Sequence, residues 1–215
     1  MSVSVKICGL RTLPALQTAI EAGATYIGFV FFDRSPRNIT TEQAASLARE
    51  IPKPTIKTGV FVNPDNAQLS HILKHVPLDL IQLHGTESPD RLQEIKDLFR
   101  IPVMKAITIS GPDDLTQAKR YDPIADMLLF DAKATASCKN SLPGGNGISF
   151  DWQLLKGIEW QIPWMLSGGL NIGNIQQAIR ISGAKIVDIS SGIEKHPGEK
   201  SLTKIREFMS KVKKS

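Results

Sequence analysis

Apolar residues along this chain gather in short runs: VSVKIC at 3–8, TYIGFVF at 25–31, IKTGVFV at 56–62, DLIQLH at 79–84, PVMKAI at 102–107, ADMLLFD at 125–131, PWMLS at 163–167 and AKIVDI at 184–189. Each is rich in β-branched or aliphatic residues and too short for a buried helix, so eight strands are predicted. Between them, apolar positions recur at helical spacing over 13–22, 41–51, 66–76, 89–99, 112–121, a short stretch at 151–158, 172–181 and 202–212. Strict alternation of near-continuous apolar strands with helices is the pattern of a parallel sheet covered on both faces. Eight such units in 215 residues fit one closed (β/α)₈ TIM barrel occupying 1–215 as a single α/β domain. An open doubly wound sheet is the structural rival. Against it, Gly9 follows the first strand without the other glycines of a dinucleotide-binding turn. Most connections are short, but 132–150, after the sixth strand, is long, glycine-rich and polar, the profile of an active-site cover.

Composition narrows the function classes. At 41% hydrophobic and 22% charged, the chain has material for one sizeable core. No stretch approaches the roughly 20 uncharged apolar residues of a membrane span, and the N-terminus lacks a signal-peptide layout, so no membrane partner and a cytoplasmic location are expected. Cys8 and Cys138 are too few for a disulfide scaffold and lack metal-ligand spacing, so free thiols and no metal are expected. A formal charge of +5 mildly favours anionic ligands, yet part of that excess is the tail Lys211, Lys213 and Lys214, and aromatics are only 6%. No nucleic-acid partner is expected.

A (β/α)₈ barrel places its chemistry at the C-terminal ends of the strands. Cys8, His84, Asp131 and Ser167 end the first, fourth, sixth and seventh runs, and Asp188 lies near the end of the eighth. Strand alternation puts Cys8 on the face of Lys6 and Ser4, towards the lumen, and pairs His84 with Gln82. Taken singly, a strand cysteine is usually a small buried hydrophobe, and a strand-end aspartate often caps the next helix. It is their convergence on one face that suggests a site. Gly168 and Gly169 after the seventh strand, and Ser190, Ser191 and Gly192 after the eighth, fall where barrels hold a phosphate on backbone N–H groups. Arg37, behind Ser35 and Pro36, offers a guanidinium suited to a planar carboxylate, although alone it would pass for a surface arginine.

The strings VKICGL (5–10), SPR (35–37), GVFVN (59–63), IQLHG (81–85), FDAK (130–133), PGGNG..FDW (143–152), LSGGLN (166–171) and VDISSGIE (187–194), followed by PG.K (197–200), together resemble the phosphoribosylanthranilate isomerase family. The resemblance runs in register from residue 5 to about residue 200. It implies a cofactor-independent, metal-free Amadori rearrangement of a small phosphorylated substrate, N-(5-phosphoribosyl)anthranilate, in tryptophan biosynthesis. Carried over by motif, Cys8 is the general base, Asp131 the general acid and Arg37 the clamp on the anthranilate carboxylate. His84 and Asp188 line the substrate, while Gly168, Gly169, Ser190 and Ser191 fall at the phosphate loops. The chain departs from the family at Asn146, where GGTG is usual, and at Ser201, where an aspartate usually follows the late lysine. Monomer and homodimer both stay open.

The ordinary acidities of a thiol, about 8.5, and an aspartate, about 3.9, are reversed for a base and an acid at neutral pH. Burial could raise Asp131 while positive surroundings lower Cys8, or a minority of molecules could hold the active protonation state. Other phosphosugar barrels are the nearest rivals: the histidine-pathway isomerase would want Asp at position 8, and a metal-dependent epimerase several converging ligands. A non-catalytic phosphometabolite-binding barrel with an inert Cys8 is the rival from another class.

Overall fold

The computed structural model describes residues 3–132, 144, 147 and 149–214; Cys138 and Asn146 lie outside the described residues. Eight parallel strands close in sequence order into a barrel: β1 (Ser4–Cys8), β2 (Tyr26–Phe31), β3 (Ile56–Phe61), β4 (Leu80–Leu83), β5 (Val103–Ile109), β6 (Met127–Ala132), β7 (Trp164–Leu166) and β8 (Ile186–Ile189). Around it pack α1 (Leu13–Glu21), α2 (Thr41–Arg49), α3 (Asn66–His75), α4 (Pro89–Phe99), α5 (Pro112–Ala118), α6 (Ile175–Ser182) and α7 (Leu202–Val212). The open-sheet rival is excluded by the pairing of β1 with β8, in which Lys6 stands beside Asp188.

Alternation along each strand sorts the side chains into two cores. Outward residues such as Ile7, Phe29, Phe61, Ile81, Val103, Phe130 and Val187 pack beneath the helices. Inward residues Tyr26, Leu80, Met104, Ala106, Met127, Leu129 and Met165 plug the barrel below its mouth. Each large apolar side chain so buried contributes about 1.5–3 kcal/mol, which makes a slip of one residue in any strand prohibitive. Helix entry follows the sequence too. Thr40 and Gln43 form a reciprocal capping box on α2, and Ser201, the departure from the family pattern, caps α7 by accepting from the Lys204 N–H at 3.3 Å.

Two expectations change, and one element is new. The stretch at 151–158 forms only a 3₁₀ turn, Trp152–Leu155, started by Asp151 and ending before Gly157, whose φ of +78° breaks the helix. The helix expected from 172 begins at Ile175, because Asn174 Oδ1 accepts from the Asn171 N–H (2.8 Å) and Asn171 Oδ1 from the Gly173 N–H (2.8 Å), which makes a turn instead. After β8 the chain makes an antiparallel hairpin, β9 (Glu194–His196) and β10 (Glu199–Lys200), turning at Pro197 and Gly198.

Candidate active site

At the C-terminal mouth of the barrel lies a pocket open to solvent, lined by the ends of every strand but β5 and by the loops that follow them. Cys8, Arg37, His84, Asp131, Gly168, Gly169, Asp188, Ser190 and Ser191 all line it. The structure therefore brings together every site residue the sequence suggested. Val30, Phe32, Val60 and Val62 supply an apolar wall on the β2–β3 side. Among the described residues no group of three or more His, Cys, Asp or Glu side chains could hold a metal ion.

Cys8 ends β1 with its side chain inward, next to Gly28 in the register. A Cβ on Gly28 would stand 2.9 Å from Cys8 Sγ, so glycine is what leaves the thiol room. The thiol is buried, and burial pushes its pKa up; Lys6 and Lys200 pull it down while Asp188 pushes it further up. The net direction is upward, which favours the second of the two alternatives left open by the sequence, a minority of molecules in the active protonation state. Below it, Lys6 Nζ sits 2.9 Å from Asp188 Oδ1, both buried. Burial works against the Lys6 charge, but Asp188 and Cys8 hold its pKa above the ordinary lysine value. Asp188 Oδ2 accepts from Ser167 Oγ at 3.2 Å, so its carboxylate is already engaged on both oxygens.

Asp131 lies three strands from Cys8 by the shorter way around the barrel, on the far side of the pocket. Its Oδ1 accepts from the Ala132 N–H at 2.8 Å, and Oδ2 lies 3.2 Å from His84 Nε2. His84 Nδ1 is in turn 3.0 Å from Gln82 Nε2. Gly144, from the connection after β6, closes over this pair: a Cβ there would be 2.7 Å from His84 Cε1 and 2.8 Å from Asp131 Oδ2. Gly168 adopts φ +85°, and a Cβ on it would meet the Ala132 nitrogen at 2.7 Å, so its loop passes directly over the end of β6.

Arg37, which alone would pass for a surface arginine, is buried. It is 6% accessible, and its Nε and Nη2 each lie 2.8 Å from a separate oxygen of Glu194. The Arg37 backbone N–H is also held by Ser35 Oγ at 3.1 Å. Ser190 spends its hydroxyl proton on the Cys8 carbonyl (3.1 Å) and accepts from Lys200 Nζ (3.1 Å), so what it offers a ligand is backbone rather than hydroxyl. Glu194 and Lys200 received no role from the sequence, although both stand in strings quoted for the resemblance. The Pro197-Gly198 turn between them was the available signal, since it folds their segment into a hairpin.

Fold and site together define a (β/α)₈ barrel with acid–base side chains and glycine loops gathered at its C-terminal mouth. The family model described as N-(5'phosphoribosyl)anthranilate (PRA) isomerase matches residues 5–211. The N-(5'-phosphoribosyl)anthranilate isomerase of Paracoccus denitrificans is 50% identical over 212 residues, which are 99% of this chain and 98% of that protein. The crystal structure of phosphoribosyl anthranilate isomerase from Thermotoga maritima superposes with a TM-score of 0.88 at 34% identity, covering 99% of this chain and all of the other. A structure of such an isomerase in complex with reduced 1-(o-carboxyphenylamino)-1-deoxyribulose 5-phosphate is similar too, with a TM-score of 0.85 at 33% identity over 99% of this chain and 100% of that one. The chain belongs to the N-(5'-phosphoribosyl)anthranilate isomerase family.

Proposed function

We propose that this chain carries out the reaction its family is named for, the Amadori rearrangement of N-(5'-phosphoribosyl)anthranilate to 1-(2-carboxyphenylamino)-1-deoxyribulose 5-phosphate in tryptophan biosynthesis, with Cys8 as general base and Asp131 as general acid. The observation that supports it is one pocket with the thiol and the carboxyl on opposite sides, Arg37 on the rim and glycine-bearing loops after β7 and β8.

The steps follow from the groups. Protonated Asp131 donates to the furanose ring oxygen, the C1′–O bond breaks, and the anthranilate nitrogen lone pair forms an iminium. That cation makes the C2′ proton acidic. The Cys8 thiolate removes it, and the electron pair forms the C1′=C2′ bond and neutralises the nitrogen. The enolamine then loses its C2′ hydroxyl proton and gains one at C1′, giving the ketone. Burial raises the Cys8 pKa, and an iminium formed beside it favours the thiolate when a base is needed. Arg37 holds the carboxylate and the loops at Gly168, Gly169 and 190–191 hold the phosphate. His84 and Asp188 complete the lining, with Asp188 fixed in place by Lys6 and Ser167. A cytoplasmic setting, which keeps Cys8 a thiol, is part of this reading.

The test is turnover of freshly prepared phosphoribosylanthranilate by the purified chain in the presence of a chelator, followed by loss of anthranilate-type fluorescence. Turnover well above the uncatalysed rate is expected. A rate equal to background would leave a phosphometabolite-binding barrel as the better reading.

A further inference from the structure

Two charged residues of the hairpin, Glu194 and Lys200, are buried just behind the pocket without lining it. Buried charges are costly unless paired, so the contacts they make are informative. Glu194 grips Arg37 through two parallel bonds of 2.8 Å, the fork geometry that fixes the plane of a guanidinium as well as its position. The same carboxylate, through Oε1, accepts from Lys200 Nζ at 2.7 Å. Lys200 Nζ also donates to the Ser190 carbonyl at 3.0 Å and to Ser190 Oγ at 3.1 Å, and that hydroxyl donates to the carbonyl of Cys8. The hairpin is anchored from both sides. Lys204 Nζ donates to the Glu194 carbonyl at 2.8 Å, and Gly198 packs so closely on the SPR loop that a Cβ would collide with the Pro36 carbonyl oxygen.

From this juxtaposition we infer that Glu194 and Lys200 are positioning residues that join two anion-recognition elements into one rigid unit. Glu194 sets the guanidinium of Arg37 for the substrate carboxylate, and Lys200 ties Glu194 to the phosphate loop at Ser190 and to the backbone of the base. The inference rests on the assignment of Arg37 made above. One carboxylate between two cations leaves a single net positive charge, which suits a ligand carrying anions at both ends. Burial pushes Lys200 below the ordinary lysine value, while Glu194, despite its own burial, is held below the ordinary carboxylate value by the bonds from Arg37 and Lys200.

The experiment compares two ligands on the full chain by calorimetric titration: the reduced product analogue 1-(o-carboxyphenylamino)-1-deoxyribulose 5-phosphate and the same compound lacking the ring carboxylate. Wild type should prefer the carboxylated ligand by about tenfold or more, the worth of a well-placed charged hydrogen bond. Glu194→Gln should lose most of that preference and raise KM far more than it lowers kcat. Because Glu194→Gln leaves two buried cations facing each other, it could fail to fold. The double variant Glu194→Gln with Lys200→Met removes that excess charge and serves as the second probe. It keeps Arg37 and the cluster's net charge but not the fork, so its preference should stay lost. Lys200→Met alone should weaken both ligands about equally, since both carry the phosphate. Undiminished preference in Glu194→Gln, or its return in the double variant, would overturn the inference while leaving Arg37's role intact. Equal binding of both ligands by wild type would overturn Arg37's role and this inference with it.

Discussion

Lys6 and Asp188 are paired at 2.9 Å deep in the barrel lumen, on adjacent strands and directly below Cys8. Lys6→Met removes the cation and leaves Asp188 buried with only Ser167 as a described hydrogen-bond partner. Stranding one member of a buried pair costs about 3–5 kcal/mol, so the melting temperature should fall by about 10 °C. A second effect separates positioning from packing. With Cys8 as the proposed base, activity should rise with pH as the thiol loses its proton; Lys6 pulls that pKa down, and its removal should move the rise to higher pH. A pH profile of kcat/KM that does not move, in a variant that still melts cooperatively, would show that Lys6 is only a structural lysine.

Gly144 stands over His84 and Asp131 where a methyl group does not fit. Gly144→Ala should push the two side chains apart and lower kcat, while the melting temperature stays within a few degrees, because the glycine lies outside both hydrophobic cores. Steady-state kinetics beside a thermal melt check this. Wild-type kcat in the variant would mean that Gly144 does not stand against His84 and Asp131 during turnover.

Arg37→Ala should raise KM rather than lower kcat, because a carboxylate contact is present in ground and transition states alike. Loss of a charged hydrogen bond costs about 2 kcal/mol, equivalent to about thirtyfold in KM. An unchanged KM together with unchanged affinity for the product analogue would remove Arg37 from the binding site.

Much of this was legible in the sequence for a specific reason. Strands of a closed parallel barrel are covered on both sides, so Tyr26–Phe31 and residues 127–130 read as unbroken apolar runs, and their ends locate the mouth. Cys8 and Asp131 are polar residues at the ends of such runs, which is what made them stand out. The proximity of His84 to Asp131 was not legible, because it joins the end of β4 to that of β6 past β5 and depends on barrel curvature rather than on order along the chain. Glu194 and Lys200 were hidden for another reason. Charged residues in a short segment without periodicity default to the surface, and only their mutual pairing with Arg37 makes burial tolerable. The same contact explains why Arg37, which taken alone would pass for a surface arginine, is buried.

The central claim, that proton transfer by Cys8 and Asp131 converts the substrate, is tested most directly by single-turnover conversion of phosphoribosylanthranilate by wild type, Cys8→Ser and Asp131→Asn. Affinity for the reduced product analogue is measured on the same samples. Serine is far too weak an acid to supply an oxyanion near neutral pH, and an asparagine amide is far too weak an acid to protonate a ring oxygen. Both variants should therefore bind the analogue nearly as wild type does and convert substrate about 10²–10⁴ times more slowly. Conversion within about twofold of wild type by either variant would contradict the role assigned to that residue.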